Sequence, residues 1–282
     1  MIRSHEEKFQ VRMMCRVLAV SRSGYYEWRD RPPSLMAKAR MQLDRDVQLA
    51  FTAEKGRAGS PRLSRRMKAQ GRCAGRRQVA ESLRRQGLRA KGARKYKATT
   101  NSKHSLPVAP NLLLQDFSAD HPNQKWVSDI TYIATDEGWL YLAVVLDLYS
   151  RLVVGWSMSE RMTATLVCDA LRMAVFQRQR PRGVIVHSDR GSQYCSHEHR
   201  KLLEENGLVS SMSAKGNCYD NAAMESWNHS LKVEAIHGER LATREQAKAQ
   251  VFDYIEVYYN RYRLHSTLGY LSPMEFELSR VA

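Results

Sequence analysis

The chain predicts an α/β protein: a mixed five-stranded sheet with helices on both faces, preceded by an all-α and strongly basic region. Two observations carry this. Residues 122–282 read as β-β-β-α-β-α-β-α, with strand-like apolar runs giving way to helical spacing. Charge divides the chain in the same place. Residues 53–101 hold 16 Lys and Arg against only Glu54 and Glu81, whereas residues 122–282 hold 18 basic and 19 acidic side chains. Most of the net charge of +16 therefore sits in one block before the sheet, the footprint of a phosphate-binding module rather than a general solubility bias.

Bulk composition narrows the class further. A length of 282 residues suits two or three domains, and 43% hydrophobic residues suffice for a sizeable core. No run approaches the ~18 apolar residues of a membrane span, and the polar start MIRSHEEKFQ is unlike a secretory signal. The five cysteines (Cys15, Cys73, Cys168, Cys195, Cys218) contain no CxxC pair. That argues against a disulfide framework or a zinc finger and predicts a reducing, cytoplasmic setting.

The elements follow in order. In residues 1–33, Val11, Met14, Cys15 and Leu18 make one helical face, and Ser21 or Ser23 is placed to cap a second helix. This reads as a helix-turn-helix or equally as a plain helical hairpin, closed by Pro32-Pro33. The basic region, 34–100, opens with a long helix over 35–54, with Leu35, Ala39, Leu43, Val47, Ala50 and Phe51 on one face. Ser60-Pro61 starts a short helix ending near Gly71, and Arg76 to Gln86 makes the next. Its Val79 and Leu83 point inward, leaving Arg76, Arg77, Arg84 and Arg85 for DNA. The helix either enters a major groove or makes sequence-independent phosphate contacts. A linker is expected over 101–121.

From 126 the pattern is WVSDITYIAT, WLYLAVVLDLYS and RLVVGWSMS, three strands joined by short connections and hence antiparallel neighbours. A helix over 163–178, a strand in GVIVHSDRG, a helix over 196–206 and a strand in LVSSMS complete the sheet. Helices over 220–237 and 243–261 close the chain. This order matches a ribonuclease H-like architecture, with the core over 122–237 and a helical extension over 238–282.

Three carboxylates stand out within it. Asp129 lies mid-strand, Asp189 at the carboxyl end of the fourth strand, and Glu225 one turn into a helix that Asp220 or Asn221 is placed to cap. Acids in apolar strands need a compensating partner, and a divalent metal is one. If the first and fourth strands are neighbours the aspartates converge, and oxygen donors with open positions suit two Mg²⁺ or Mn²⁺ ions. His229 and Lys232 share the helix face of Glu225, with Asn221 one turn earlier. Lys232 is placed to hold a DNA phosphate or is a surface lysine; His229 contacts phosphate or packs. Arg190 and Gln193 are within reach of DNA. The terminal run VYYNRYRLHSTLGYLSP interleaves tyrosines with Arg261 and Arg263, a mixture suited to single-stranded or distorted DNA or to packing. Asp147 is explained by an ion pair with Arg151, and Cys195, His197 and His199 by a surface helix.

HSDRGSQY, GNCYDNAAMESWNHSLKVE and YYNRYRLHSTLGYLSPMEF resemble the second-frame transposases (OrfB) of insertion sequences with a D,D-35-E signature, related to retroviral integrases. The resemblance covers essentially the whole chain, and 35 residues separate Asp189 from Glu225. It implies that Asp129, Asp189 and Glu225 are catalytic metal ligands for cleavage at the element's ends and strand transfer by a 3′-hydroxyl. It also implies double-stranded DNA at terminal inverted repeats and target DNA as partners, fusion by frameshifting to an upstream OrfA product, and a homo-oligomer on DNA in the bacterial cytoplasm or nucleoid. Where the family carries a Tyr-Gly-Tyr-type turn this chain has Gly59-Ser60-Pro61-Arg62. Other readings are a non-catalytic DNA-binding regulator and a structure-specific nuclease on the same fold.

Overall fold

A computed structural model describes residues 1–92, 107–214 and 218–281. Part of the basic, aperiodic stretch and the first six residues of the expected linker lie outside the described residues. Five helices come first: α1 (Val11–Val17), α2 (Arg22–Asp30), α3 (Leu35–Ala53), α4 (Ser60–Ala69) and α5 (Arg76–Arg85). The sheet follows, with β1 (Lys125–Thr135), β2 (Gly138–Asp147) and β3 (Val153–Ser159), then α6 (Ala164–Gln177), β4 (Ile185–Ser188), α7 (His197–Glu205) and β5 (Val209–Met212). Three helices finish the chain: α8 (Ala222–Leu231), α9 (Arg244–Phe252) and α10 (Pro273–Val281). α8 and α9 each run on into a π-helical turn, over Lys232–Ile236 and Asp253–Tyr259.

The strand order is β3-β2-β1-β4-β5. β1 and β2 form an antiparallel hairpin and β2 pairs antiparallel with β3, while β4 lies parallel to both β1 and β5. Alternation along β2 divides the interior as period-two geometry requires. Leu140, Leu142, Val144 and Leu146 pack with Met224, Trp227 and Leu231 of α8 and with α9. Ala143 and Val145 pack on the other face with Leu166, Ala170 and Leu171 of α6. α3, α4 and α5 bury a smaller core around Val47, Leu63, Met67 and Val79. Leu35, expected on that inner face, is 84% exposed because the face begins only where α3 reaches α4 and α5.

α6 lies on β3 at Gly155, where a Cβ would stand 2.2 Å from the Ala170 carbonyl oxygen and 2.7 Å from the Ala174 nitrogen. Both are backbone atoms of one helix, so neither can swing aside. Gly155→Ala is expected to force α6 off the sheet at a cost of about 3 kcal/mol. A lower urea midpoint checks this; an unchanged midpoint would refute the close approach.

Two long-range ion-pair groups fix the periphery. Asp147, fully buried at the end of β2, accepts from Arg178 Nη2 at 2.8 Å and from the Asn123 and Tyr149 backbone N–H groups. The expected ion pair with Arg151 gives way to the one with Arg178, and Arg151 donates its backbone N–H to the Asp147 carbonyl oxygen. Arg178 also binds Glu277 at 2.6 Å and so ties α10, which falls within the expected helical extension over 238–282, to the end of α6. Elsewhere the basic region docks on the C-terminal helices through Arg62–Glu234 at 2.9 Å, Lys55–Asp253 at 3.3 Å, and Tyr258 Oη donating to Glu54 at 2.9 Å.

Candidate active site

β1 is buried on both faces, and its odd-numbered residues Val127 and Ile133 face α8. Asp129 lies between them on that face, opposite Val144 of β2. The parallel ladder ends with Val127 level with His187, and Asp129 and Asp189 each follow two residues further on, near enough for the Asp189 charge to act on Asp129. That end is where β4 stops and the chain turns, the place open α/β sheets leave for ligands. The Gly191 N–H donates to Asp189 Oδ1 at 2.8 Å, and a Cβ on Gly191 would come within 3.0 Å of that oxygen. Glycine there keeps the carboxylate both anchored and approachable.

α8 supplies the third acid. Glu225 sits in its first turn and is exposed. Three residues on, Asn228 Nδ2 donates to Asp129 Oδ2 at 2.8 Å, fastening the helix to β1. Burial, then the neighbouring Asp189 charge, pushes the Asp129 carboxyl up to about 7; Glu225 adds to the rise, and hydrogen bonds from the Ile130 backbone and Asn228 oppose it. A buried carboxyl beside a like charge is disfavoured as an anion unless a positive charge compensates it. Among the described residues, no three His, Cys, Asp or Glu side chains stand close enough together to hold an ion as they are. Two aspartates are in place; Glu225 projects to solvent beside them.

The remaining candidates divide. Lys232 is half-buried, its Nζ 4.8 Å from the centre of the Tyr132 ring. Burial lowers its pKa, and the proximity of Tyr132 and Asp129 acts against that, which puts the ammonium on the carboxylate side of α8. His229 is exposed on the same helix. Asn221 occupies the N-cap position without a side-chain cap bond, and its Oδ1 is buried with no hydrogen-bond partner among the described residues. Asp220 does not cap either: it accepts from Asn111 Nδ2 at 2.9 Å and the Ala214 N–H at 3.0 Å, because α8 is entered through a 3₁₀ turn over Cys218–Asn221. Arg190 Nε donates to the Ser213 carbonyl at 2.6 Å. His187 is buried between Ser211 and Ser213, and that burial holds it down to about 4, so it braces β4 against β5 rather than acting as a base.

On α5, Arg76, Arg77 and Arg84 are exposed, Arg77 also reaching Glu81 at 3.0 Å, whereas Arg85 pairs with Asp44 of α3. Arg261 is exposed. Arg263 is a correction to the sequence reading: it turns inward to Glu234 at 2.8 Å and to Ser230 at 3.0 Å, because burying Glu234 requires a guanidinium there. Tyr258 and Tyr259 pack in the core, and of this cluster Tyr262 is 55% exposed. Asn228 and Gly191 were not singled out from sequence. The first had a signal, the i+3 spacing from Glu225 that keeps both on one helix face.

A mixed sheet in this order, carrying Asp129 on β1 and Asp189 just past β4, has the architecture of an integrase-type core. The integrase core domain family matches residues 119–218, and a second integrase core domain family matches residues 225–280. Over its full length the chain is 56% identical to transposase InsF for insertion sequence IS3A of Escherichia coli K12, covering 98% of that protein. It is 47% identical to a 31 kDa protein of insertion element IS600 from Shigella sonnei, over 93% of this chain and 97% of that one. Among solved structures, the HTLV-2 integrase catalytic core domain in complex with magnesium aligns with 57% of this chain and 99% of its own at 15% identity and a TM-score of 0.44. The chain belongs to the insertion-sequence transposases with an integrase-type core; it is a DNA transposase.

Proposed function

We propose that Asp129, Asp189 and Glu225 form the catalytic set, which cleaves DNA at the ends of the element and joins the freed 3′-hydroxyl to a target strand. The observation that carries this is that Asp129 and Asp189 follow the same end of the β1–β4 ladder, with the Asp189 and Glu225 charges both felt at Asp129. An all-oxygen donor set whose members repel one another suits hard divalent cations such as Mg²⁺ or Mn²⁺. When bound, two such ions make the attacking hydroxyl more acidic and stabilise the leaving 3′-oxygen of an in-line displacement. The chain's own part is positional. Asn228 fixes the Asp129 carboxylate, the Gly191 N–H fixes Asp189, and Glu225 in the first turn of α8 is the third carboxylate of the set. Lys232, held over Tyr132 beside Asp129, is in reach of a substrate phosphate.

The basic region then holds the duplex, with Arg76 and Arg84 on the outer surface of α5 as phosphate contacts. Terminal inverted repeats and target DNA are the substrates on this reading. An upstream OrfA product, supplied by frameshifting, and further copies of the chain complete the working assembly. Cytoplasmic residence accords with the four free cysteines among the described residues, Cys15, Cys73, Cys168 and Cys195. No described helix is long and apolar enough to cross a membrane.

A strand-transfer assay with Asp189→Asn tests the catalytic assignment. Joined product is expected to fall about 10³-fold while DNA retention holds. Undiminished metal-dependent joining would remove Asp189 from the site.

A further inference from the structure

We propose that residues 11–30 form a second DNA-contacting module, a helix-turn-helix in which α2 reads base edges in the major groove of duplex DNA while α5 contributes phosphate contacts only. This goes beyond the catalytic reading, because it concerns how a DNA sequence is chosen.

The turn makes the first argument. α1 ends at Val17 and α2 begins at Arg22, leaving only Leu18 to Ser21 between them. Ala19 takes a left-handed conformation at φ 50, which reverses the chain abruptly. The Leu18, Ala19 and Val20 N–H groups donate to the Met14, Arg16 and Cys15 carbonyls, closing the end of α1. Ser21 Oγ then accepts from the Gly24 N–H at 3.2 Å and opens α2. Cys15, Tyr25 and Ile2 are buried together and fix the two helices against each other. A helix-turn-helix needs a turn of about 3–4 residues. The α4–α5 connection fails that requirement, since Gln70 to Gly75 intervene.

The outward face makes the second. With Tyr25 inward, a step of 100° per residue puts Ser23, Glu27 and Asp30 on the far side of α2, while Arg22 lies 60° from Tyr25 and reaches solvent at the exposed first turn of the helix. Arg22 and Ser23 are exposed in the first turn, the part of a recognition helix that meets base edges. The two carboxylates on this face are compensated, Glu27 by Arg31 at 3.1 Å and Asp30 by Arg29 at 2.9 Å. Lys8, Arg12 and Arg16 are exposed before and along α1, the helix that crosses the phosphate backbone in this motif. Residues 1–31 carry seven Lys and Arg against four Asp and Glu, so the surface suits a polyanion.

Selection from duplexes carrying about 20 randomised base pairs, using the full chain, tests this directly. Affinity is then measured for the selected duplex and for a scrambled one of equal length. Arg22→Ala with Ser23→Ala is expected to weaken the selected duplex about 10- to 100-fold, to erase base preference at three or four adjacent positions and to leave the scrambled duplex unchanged. Thermal unfolding should not move, since both side chains are exposed. Arg76→Ala with Arg84→Ala should weaken both duplexes alike and flatten the salt dependence. The proposal is overturned if the wild type selects no motif, if the α2 variant keeps it, or if that variant weakens both duplexes equally. It is equally overturned if the α5 variant alone erases the motif. None of these readouts passes through the carboxylates, so loss of strand joining at Asp189 stands or falls separately.

Discussion

Replacing Asp129 by asparagine is expected to abolish strand joining and, at the same time, to make the metal-free protein more stable at neutral pH. The Asp129→Asn side chain keeps a carbonyl oxygen able to accept from Asn228 Nδ2, so the helix–strand fastening survives. What goes is a carboxylate that burial and the Asp189 and Glu225 charges disfavour. Its folded pKa of about 7 lies above the ordinary 3.8, so the folded state keeps a proton that the unfolded chain releases between those values. Stability therefore declines as pH rises from about 4 to about 7 and stays low above that, by about 4 kcal/mol at most. The asparagine variant lacks this decline. Its melting temperature should match the wild type near pH 4 and exceed it above pH 7, by roughly 5–10 °C. Added Mg²⁺ should raise the wild-type value and not that of the variant. Parallel melting curves at every pH would show that Asp129 carries no such penalty.

The parts of this site visible from sequence are those whose signal is local. Asp129 interrupts an apolar strand, Asp189 ends one, and Glu225 begins a helix; each address follows from periodicity within about ten residues. Their convergence needed one topological step, the pairing of β1 with β4, which the mixed strand order supplies. Long-range pairing is where local reading stops. Asp147 has an arginine four residues away in Arg151, yet its side chain pairs with Arg178, brought in by the fold of α6 onto the sheet. Arg263 sits among tyrosines in a run that suggests nucleic-acid contact, and nothing nearby in sequence announces Glu234 as its partner. The π-helical turns explain part of that concealment: Glu234 and Tyr254 both lie in such turns, where the extra residue per turn shifts the face that ideal helical spacing assigns.

Truncating Glu234 is expected to be among the most destabilising single changes, although it lies outside the proposed catalytic set. The carboxylate is 4% exposed and accepts from Arg263 Nε at 2.8 Å, Arg263 Nη2 at 2.9 Å, Arg62 Nη2 at 2.9 Å and Tyr254 Oη at 3.0 Å. Glu234→Ala leaves two guanidinium groups facing each other with no counter-charge, at a cost of about 3–5 kcal/mol. Because Arg62 belongs to α4 and Glu234 follows α8, the same change also loosens the basic region from the core that carries the carboxylates. Glu234→Gln keeps the shape and loses the charge, so a smaller loss of about 2 kcal/mol is expected. The pH dependence runs opposite to that of Asp129. Burial alone would raise the Glu234 pKa, but Arg263 and Arg62 outweigh it and hold the group below its ordinary 4.5. Its contribution is thus present above pH 4.5 and is lost as pH falls through the depressed folded value. Urea unfolding should show the gap between wild type and Glu234→Gln widest above about pH 5 and narrowing in acid. A gap that stayed constant down to about pH 3 would mean the carboxylate's charge does not hold the two regions together.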